Sequence, residues 1–100
     1  MMLVREIMHC KPGKVKPLVE KFLAMRKLMA KIGLGNMKVM TDVSAERYWT
    51  VVSEFEVENL EEFLSMSAMK PEDTKEFEKI MQGYHDLVDV GRREIYKLEG

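Results

Sequence analysis

Apolar residues recur at three- and four-residue intervals through Val15, Leu18, Val19, Phe22, Met25, Met29 and Ile32, while Lys16, Glu20, Lys21, Lys27 and Lys31 fall on the opposite face. This spacing predicts an amphipathic helix over about 14–32, one side of which is turned to a core. Gly33 stands where a left-handed C-cap would end it. Upstream, residues 2–10 read as a short strand, with Val4, Ile7 and Met8 spread over both faces, the pattern of a strand covered on two sides. Pro12-Gly13 predicts the turn between strand and helix.

The same strand-then-helix order returns downstream. Leu34-Gly35-Asn36 reads as a loop, and residues 37–43 as a second strand with Met37, Val39, Thr41 and Val43 on one face. Ser44-Ala45-Glu46 predicts a short turn. Residues 47–57 form a third strand rich in Tyr, Trp, Thr, Val and Phe, the residue types that suit a pleated surface. So short a connection predicts an antiparallel hairpin. Asn59, with Glu62 three positions on, is a capping-box-like helix start, and Leu60, Phe63 and Leu64 supply its apolar stripe. Pro71 disfavours helical geometry at Lys70, so a break is expected near Met69-Lys70. Pro71-Glu72-Asp73 then opens a fresh helix whose apolar face continues through Phe77, Ile80, Met81 and Tyr84. Residues 87–98 form the last strand, with Gly91 as a candidate bulge.

The order β-α-β-β-α-β is that of the ferredoxin-like α+β fold, a four-stranded antiparallel sheet with helices on one face. On the third strand Trp49, Val51 and Phe55 alternate with Tyr48, Thr50, Val52, Glu54 and Glu56, and neither set is purely polar. A sheet whose second face is this mixed calls for another layer. A second copy of the chain is the economical source, giving a closed homodimer, a dimeric α/β barrel.

Composition narrows the classes. One hundred residues predict a single domain over 1–100, with a modest core that a partner subunit would supplement. The net charge of −1, with both signs interspersed, argues against a nucleic-acid or anionic-membrane surface. No apolar run approaches the ~20 residues of a membrane span. The first residues read as strand and not as a secretion signal, and Cys10 is the single cysteine, so a cytoplasmic protein is the expectation. Ten methionines are unusual. Met-x-x-Met occurs at Met37/Met40 and Met66/Met69, and thioethers do bind Cu(I). Most of the methionines, however, occupy apolar positions of periodic segments, where a flexible side chain fills irregular gaps or forms an adaptable pocket wall.

Three segments carry a likeness: Lys11-Pro12-Gly13-Lys14 after the first strand, residues 48–56 (Tyr-Trp-Thr-Val-Val-Ser-Glu-Phe-Glu), and Gly91-Arg92-Arg93-Glu94-Ile95-Tyr96. Over essentially its whole length the chain resembles the dimeric α/β-barrel superfamily, which includes antibiotic-biosynthesis monooxygenases, haem-degrading monooxygenases and NIPSNAP-type proteins. The NIPSNAP-like branch is the nearest. The resemblance implies a ligand pocket in each subunit, between the sheet and its helices. Catalytic members commonly use an Asn on the first strand with Trp and His elsewhere. Trp49 and His85 match the latter two in kind, but the first strand offers Arg5, Glu6 and His9 and no Asn, so that mechanism does not carry over.

His9 and His85 are therefore the candidate catalytic residues, being able to act as acid or base near neutral pH. As strand neighbours, His9 and Cys10 point to opposite faces and do not form a chelate or a nucleophile–base pair. No His-x-x-x-His or His-plus-carboxylate cluster appears, so neither a metal nor another cofactor is expected. Trp49, Arg5 and Tyr84 are the candidate ligand contacts, and one of Tyr48 and Trp49 should pack under the helices. Arg5, Glu54, Arg92, Arg93 and Glu94 lie within strands, so Arg5 or Arg93 should pair with Glu54 or Glu94. The leading functional expectation is a homodimer that binds a small apolar or aromatic metabolite, with cofactor-independent monooxygenase-like chemistry as its catalytic form. The alternative is a non-catalytic sensor or assembly module.

Overall fold

In the computed structural model, which describes residues 1–34, 36–67 and 69–100, the strand over Met2–Cys10 (β1) is paired along almost its whole length on both sides. One neighbour is β3 (Thr50–Val57) and the other β4 (Val88–Lys97), both antiparallel. The short β2 (Lys38–Thr41) extends the sheet beyond β3, giving the order β2-β3-β1-β4. Among the described residues, three helices, α1 (Val15–Lys31), α2 (Leu60–Ser65) and α3 (Pro71–Met81), join these strands, and a 3-10 turn at Tyr84–Asp86 leads into β4. This is the ferredoxin-like α+β fold that the sequence pattern predicts. Among the described residues, no helix is long and apolar enough to cross a membrane.

The helices lie where the apolar stripes require. Leu18, Phe22, Met25, Leu28 and Met29 are the buried face of α1, and Val4, Val51, Phe55 and Val57 meet them from the sheet. Gly33 closes α1 with φ 91°. Its N–H donates to the carbonyl of Ala30, and that of Leu34 donates to the carbonyl of Met29. Those two bonds make a Schellman motif, in which glycine avoids the strain that a Cβ would bring to the left-handed region. At α2, the Asn59 Oδ1 accepts from the Glu62 N–H at 3.0 Å. At α3, the Asp73 carboxylate accepts from the Lys70 N–H at 3.1 Å, and Pro71 is the first helical residue. Two lysines of α1 tie it to α3: the Lys21 ammonium donates to the carbonyls of Ile80 and Gln82, and Lys31 lies 3.6 Å from Asp73. Each cation thus meets the negative end or an acidic residue of the partner helix.

Several expected boundaries move. The third strand starts at Thr50 and not at residue 47, because Trp49 adopts φ 56°, outside strand geometry. The second is only Lys38–Thr41: at Asp42 the chain turns away, and that side chain accepts from the Thr50 N–H at 2.8 Å. Met37 is core and Val43 is wholly exposed, so the two do not share a buried face. The helix opened by Asn59 stops at Ser65, where Met66 takes φ 57°, before the break expected at 69–70. The loop expectation at Gly35 lies outside the described residues.

Gly91 is not the bulge. The register shift falls between His9 and Cys10, whose β4 partners are Val90 and Val88, leaving Asp89 as the extra residue. Gly91 instead faces Met8, and a Cβ there would lie 2.5 Å from the methionine sulfur. Gly91→Ala should therefore destabilise the fold by about 1–2 kcal/mol in urea unfolding. In a Met8→Ala background that penalty should vanish; an equal penalty in both backgrounds would assign it to something other than this contact.

Candidate functional site

Alternation along the strands sorts their side chains into two chemically different faces. On the helix side lie Val4, Glu6, Met8 and Cys10 of β1, with Ser53 and Phe55 of β3 and Arg93 of β4 in register beside them. A cavity of about 320 Å³ opens between this face and the helices. It is lined by all four phenylalanines of the chain and by six of its ten methionines, Met8, Met25, Met29, Met37, Met66 and Met81. Tyr84 borders it from the 3-10 turn.

The floor carries one polar row. Glu6 stands directly opposite Ser53 on one side and Arg93 on the other, and all three line the cavity. The Arg93 Nε donates to the Glu6 carboxylate. Their side chains remain 47% and 22% exposed, so the pair is worth no more than about 1 kcal/mol to the fold. Stability alone is a weak reason for placing charges among methionine and phenylalanine.

The open face is built differently. Arg5 donates to Glu54 at 2.6 Å, lies 3.9 Å from Glu94 and stacks over the Tyr96 ring at 5.4 Å. Glu94 also accepts from the Arg92 Nε at 3.0 Å and the Tyr96 hydroxyl at 2.9 Å, and these two bonds hold its carboxyl below the usual range. The same bond pushes the Tyr96 hydroxyl up. His9, only 6% exposed, ends the chain of contacts. The Arg92 Nη1 is necessarily a donor, so at 3.1 Å His9 Nε2 accepts; Nδ1–H then donates to Thr50 Oγ1 at 3.0 Å. The Thr50 hydroxyl in turn donates to the Arg47 carbonyl at 2.8 Å. Burial, with help from Arg47 and Arg92, lowers the His9 pKa, which keeps the ring neutral. Burial also pushes the Cys10 thiol up, so it stays protonated. Among the described residues there is no group of three or more His, Cys, Asp or Glu side chains that could hold a metal ion.

No family model matches the chain, and no curated protein does. Among solved structures, a NIPSNAP family protein from Agrobacterium tumefaciens superposes with a TM-score of 0.74 at 16% identity, over 99% of this chain and 94% of that one. An antibiotic-biosynthesis-monooxygenase-like protein from Deinococcus radiodurans gives 0.69 at 11% identity, over 100% and 94%. A dimeric protein of unknown function with a ferredoxin-like fold, from Bacteroides fragilis, gives 0.60 at 19%, over 97% and 96%. The shared property is the fold.

Of the five candidates, Tyr84 alone lines the cavity. Arg5 and His9 lie on the open face, since odd positions of β1 point away from the helices. His85 is exposed, stacked on Tyr84 at 4.0 Å, and borders an adjoining groove that shares Glu6, Met8, Tyr84 and Arg93 with the cavity. Trp49 corrects the expectation most sharply. Its backbone turn places it in the loop before β3, 47% exposed, with Tyr48 at 81%, so neither ring packs under the helices. Arg5 does pair with Glu54 and Glu94, as expected, whereas Arg93 pairs with Glu6. The polar row escaped the sequence reading, although Glu6 interrupting the alternation of Val4, Met8 and Cys10 was its signal.

The His9 environment has a pH consequence. A histidine whose folded pKa lies below its unfolded value of about 6.5 contributes stability fully present above that pH and lost as pH falls toward the folded value. Between about pH 7.5 and 5 the urea midpoint of the protein should therefore fall further than that of His9→Gln. Parallel profiles would show that His9 does not contribute the difference.

Proposed function

We propose that this chain forms a homodimer whose subunits each bind a small, largely apolar or aromatic molecule in the cavity beneath the helices. The observation that carries the reading is the convergence of four phenylalanines and six methionines on one cavity of about 320 Å³. That volume falls within the range of small-ligand sites, about 300–1,000 Å³. Thioether walls are polarizable and change shape easily, which suits them to a flat or irregular guest. Glu6, Arg93 and Tyr84 supply the few polar groups that would orient it.

The dimer half of the reading rests on the open face, where Ile7, Met40, Val52, Val90 and Tyr96 lie among the paired charges. The described dimer among the structural neighbours supports it. The likeness to a monooxygenase-like protein supports a catalytic version, for which the polar groups at hand would be those of the cavity and not the two histidines.

Native mass spectrometry of protein purified gently from its host tests both halves. A species at about twice 11.7 kDa that carries a small adduct is expected. The cavity-filling Met81→Trp should keep the dimer and lose the adduct; an adduct retained there would place the ligand elsewhere. Val90→Glu, at a half-exposed open-face position, should give a folded monomer. A wild-type monomer would overturn the dimer.

A further inference from the structure

We propose that the cavity selects an apolar or aromatic molecule bearing one anionic oxygen, a carboxylate or an ionised phenol or enol, and that Arg93 reads it. The inference deepens the binding reading above and rests on it. Among the described residues, the structure gives Arg93 one partner, Glu6, which it meets through Nε. The two Nη groups, the forked edge that grips a carboxylate with two parallel hydrogen bonds, remain available at the cavity floor.

The other sheet and loop arginines contrast with it. Arg5 is engaged by Glu54, Glu94 and Tyr96, Arg92 by Glu94 and His9, and Arg47 by Asp89, and all three line the open face. Arg93 alone of the four combines a place in the apolar cavity with a single partner. Glu6 has two effects there. It pairs with the guanidinium through Nε and leaves both Nη groups free of it, and it offsets the arginine's charge in the empty cavity, so that an uncharged guest gains little from Arg93. Ser53, 3% exposed and next in the row, adds a hydroxyl that can donate to either carboxylate. Walls of methionine and phenylalanine offer apolar contact to the body of the guest, while the half-exposed guanidinium of Arg93 meets its anionic end.

Methionine itself provides the readout. In protein labelled with ¹³C at the methionine methyls, 2-naphthoate should shift the resonances of the six cavity methionines while those of Met1 and Met40 stay in place. It should bind about ten-fold or more tightly than 2-naphthamide, its uncharged counterpart, the worth of one charge-assisted pair. Arg93→Gln should bring naphthoate down to the naphthamide level and leave naphthamide unchanged, whereas Glu6→Gln should raise naphthoate affinity by removing a competing carboxylate. Equal binding of the two probes to the unmodified protein would overturn anion selection and leave the cavity reading standing. Shifts with neither probe would overturn the cavity reading and this inference with it. The first comparison needs no variant, so it does not depend on how a substitution affects folding.

Discussion

The double pairing of β1 is the constraint on which the rest depends. From Met2 to His9 every residue of this strand has a partner on both sides, so its register is set twice over. Because side chains alternate with period two, that register decides which chemistry goes to which face. Even positions send Val4, Glu6 and Met8 toward the helices; odd ones send Arg5, Ile7 and His9 to the open side. A slip of one residue would exchange the two sets, burying Arg5 and His9 under α1 and expelling Val4. The bulge at Asp89 comes only after His9, where the ladder has already done this sorting.

The two faces handle charge by opposite means. On the open side every ionic group of the central patch is engaged, with Glu94 accepting from Arg92 and Tyr96 and lying near Arg5. On the helix side, one arginine and one glutamate face an otherwise apolar space. A half-exposed pair adds little to stability. Its effect is instead on the cavity, which it furnishes with a fixed direction of polarity. Methionine makes the same space adaptable: its unbranched side chain repacks at low cost where leucine or phenylalanine would hold one shape. A rigid polar floor under compliant walls combines orientation with tolerance.

Much of the fold was legible because it follows from periodicity. The α1 stripe, Gly33 as its cap, Pro71 as a helix start and the β-α-β-β-α-β order all reflect local rules that tertiary packing did not override. The misses share a cause. Trp49 has strong strand propensity, yet a left-handed backbone at that residue and an Asp42–Thr50 bond delay the start of the strand to Thr50. Propensity does not register a turn made by one side chain reaching a backbone N–H eight residues away. For the site, histidine and tryptophan attracted attention as chemically versatile types, whereas the residues in the cavity are marked by position. Glu6 and Arg93 are ordinary charges until the register of β1 with β4 brings them together on the helix-facing side.

The chemistry of the open face bears on how a second subunit would sit there. Covering an unpaired carboxylate with another sheet removes its water and costs far more than the contact returns. Glu94 enters such an encounter already bonded to Arg92 and Tyr96, and His9 enters it neutral and bonded at both nitrogens. Most of the desolvation cost is thus met within the subunit. Beside the paired charges, Met40, Val90 and the ring of Tyr96 are exposed as well, and it is this apolar surface that gains by being covered. Internally satisfied charges would then act as spacers of fixed position between apolar contacts, favouring one alignment of the two sheets over its neighbours. Protonating His9 would break that arrangement from within, since Nε2 can no longer accept from Arg92, so the ring links the integrity of the open face to pH.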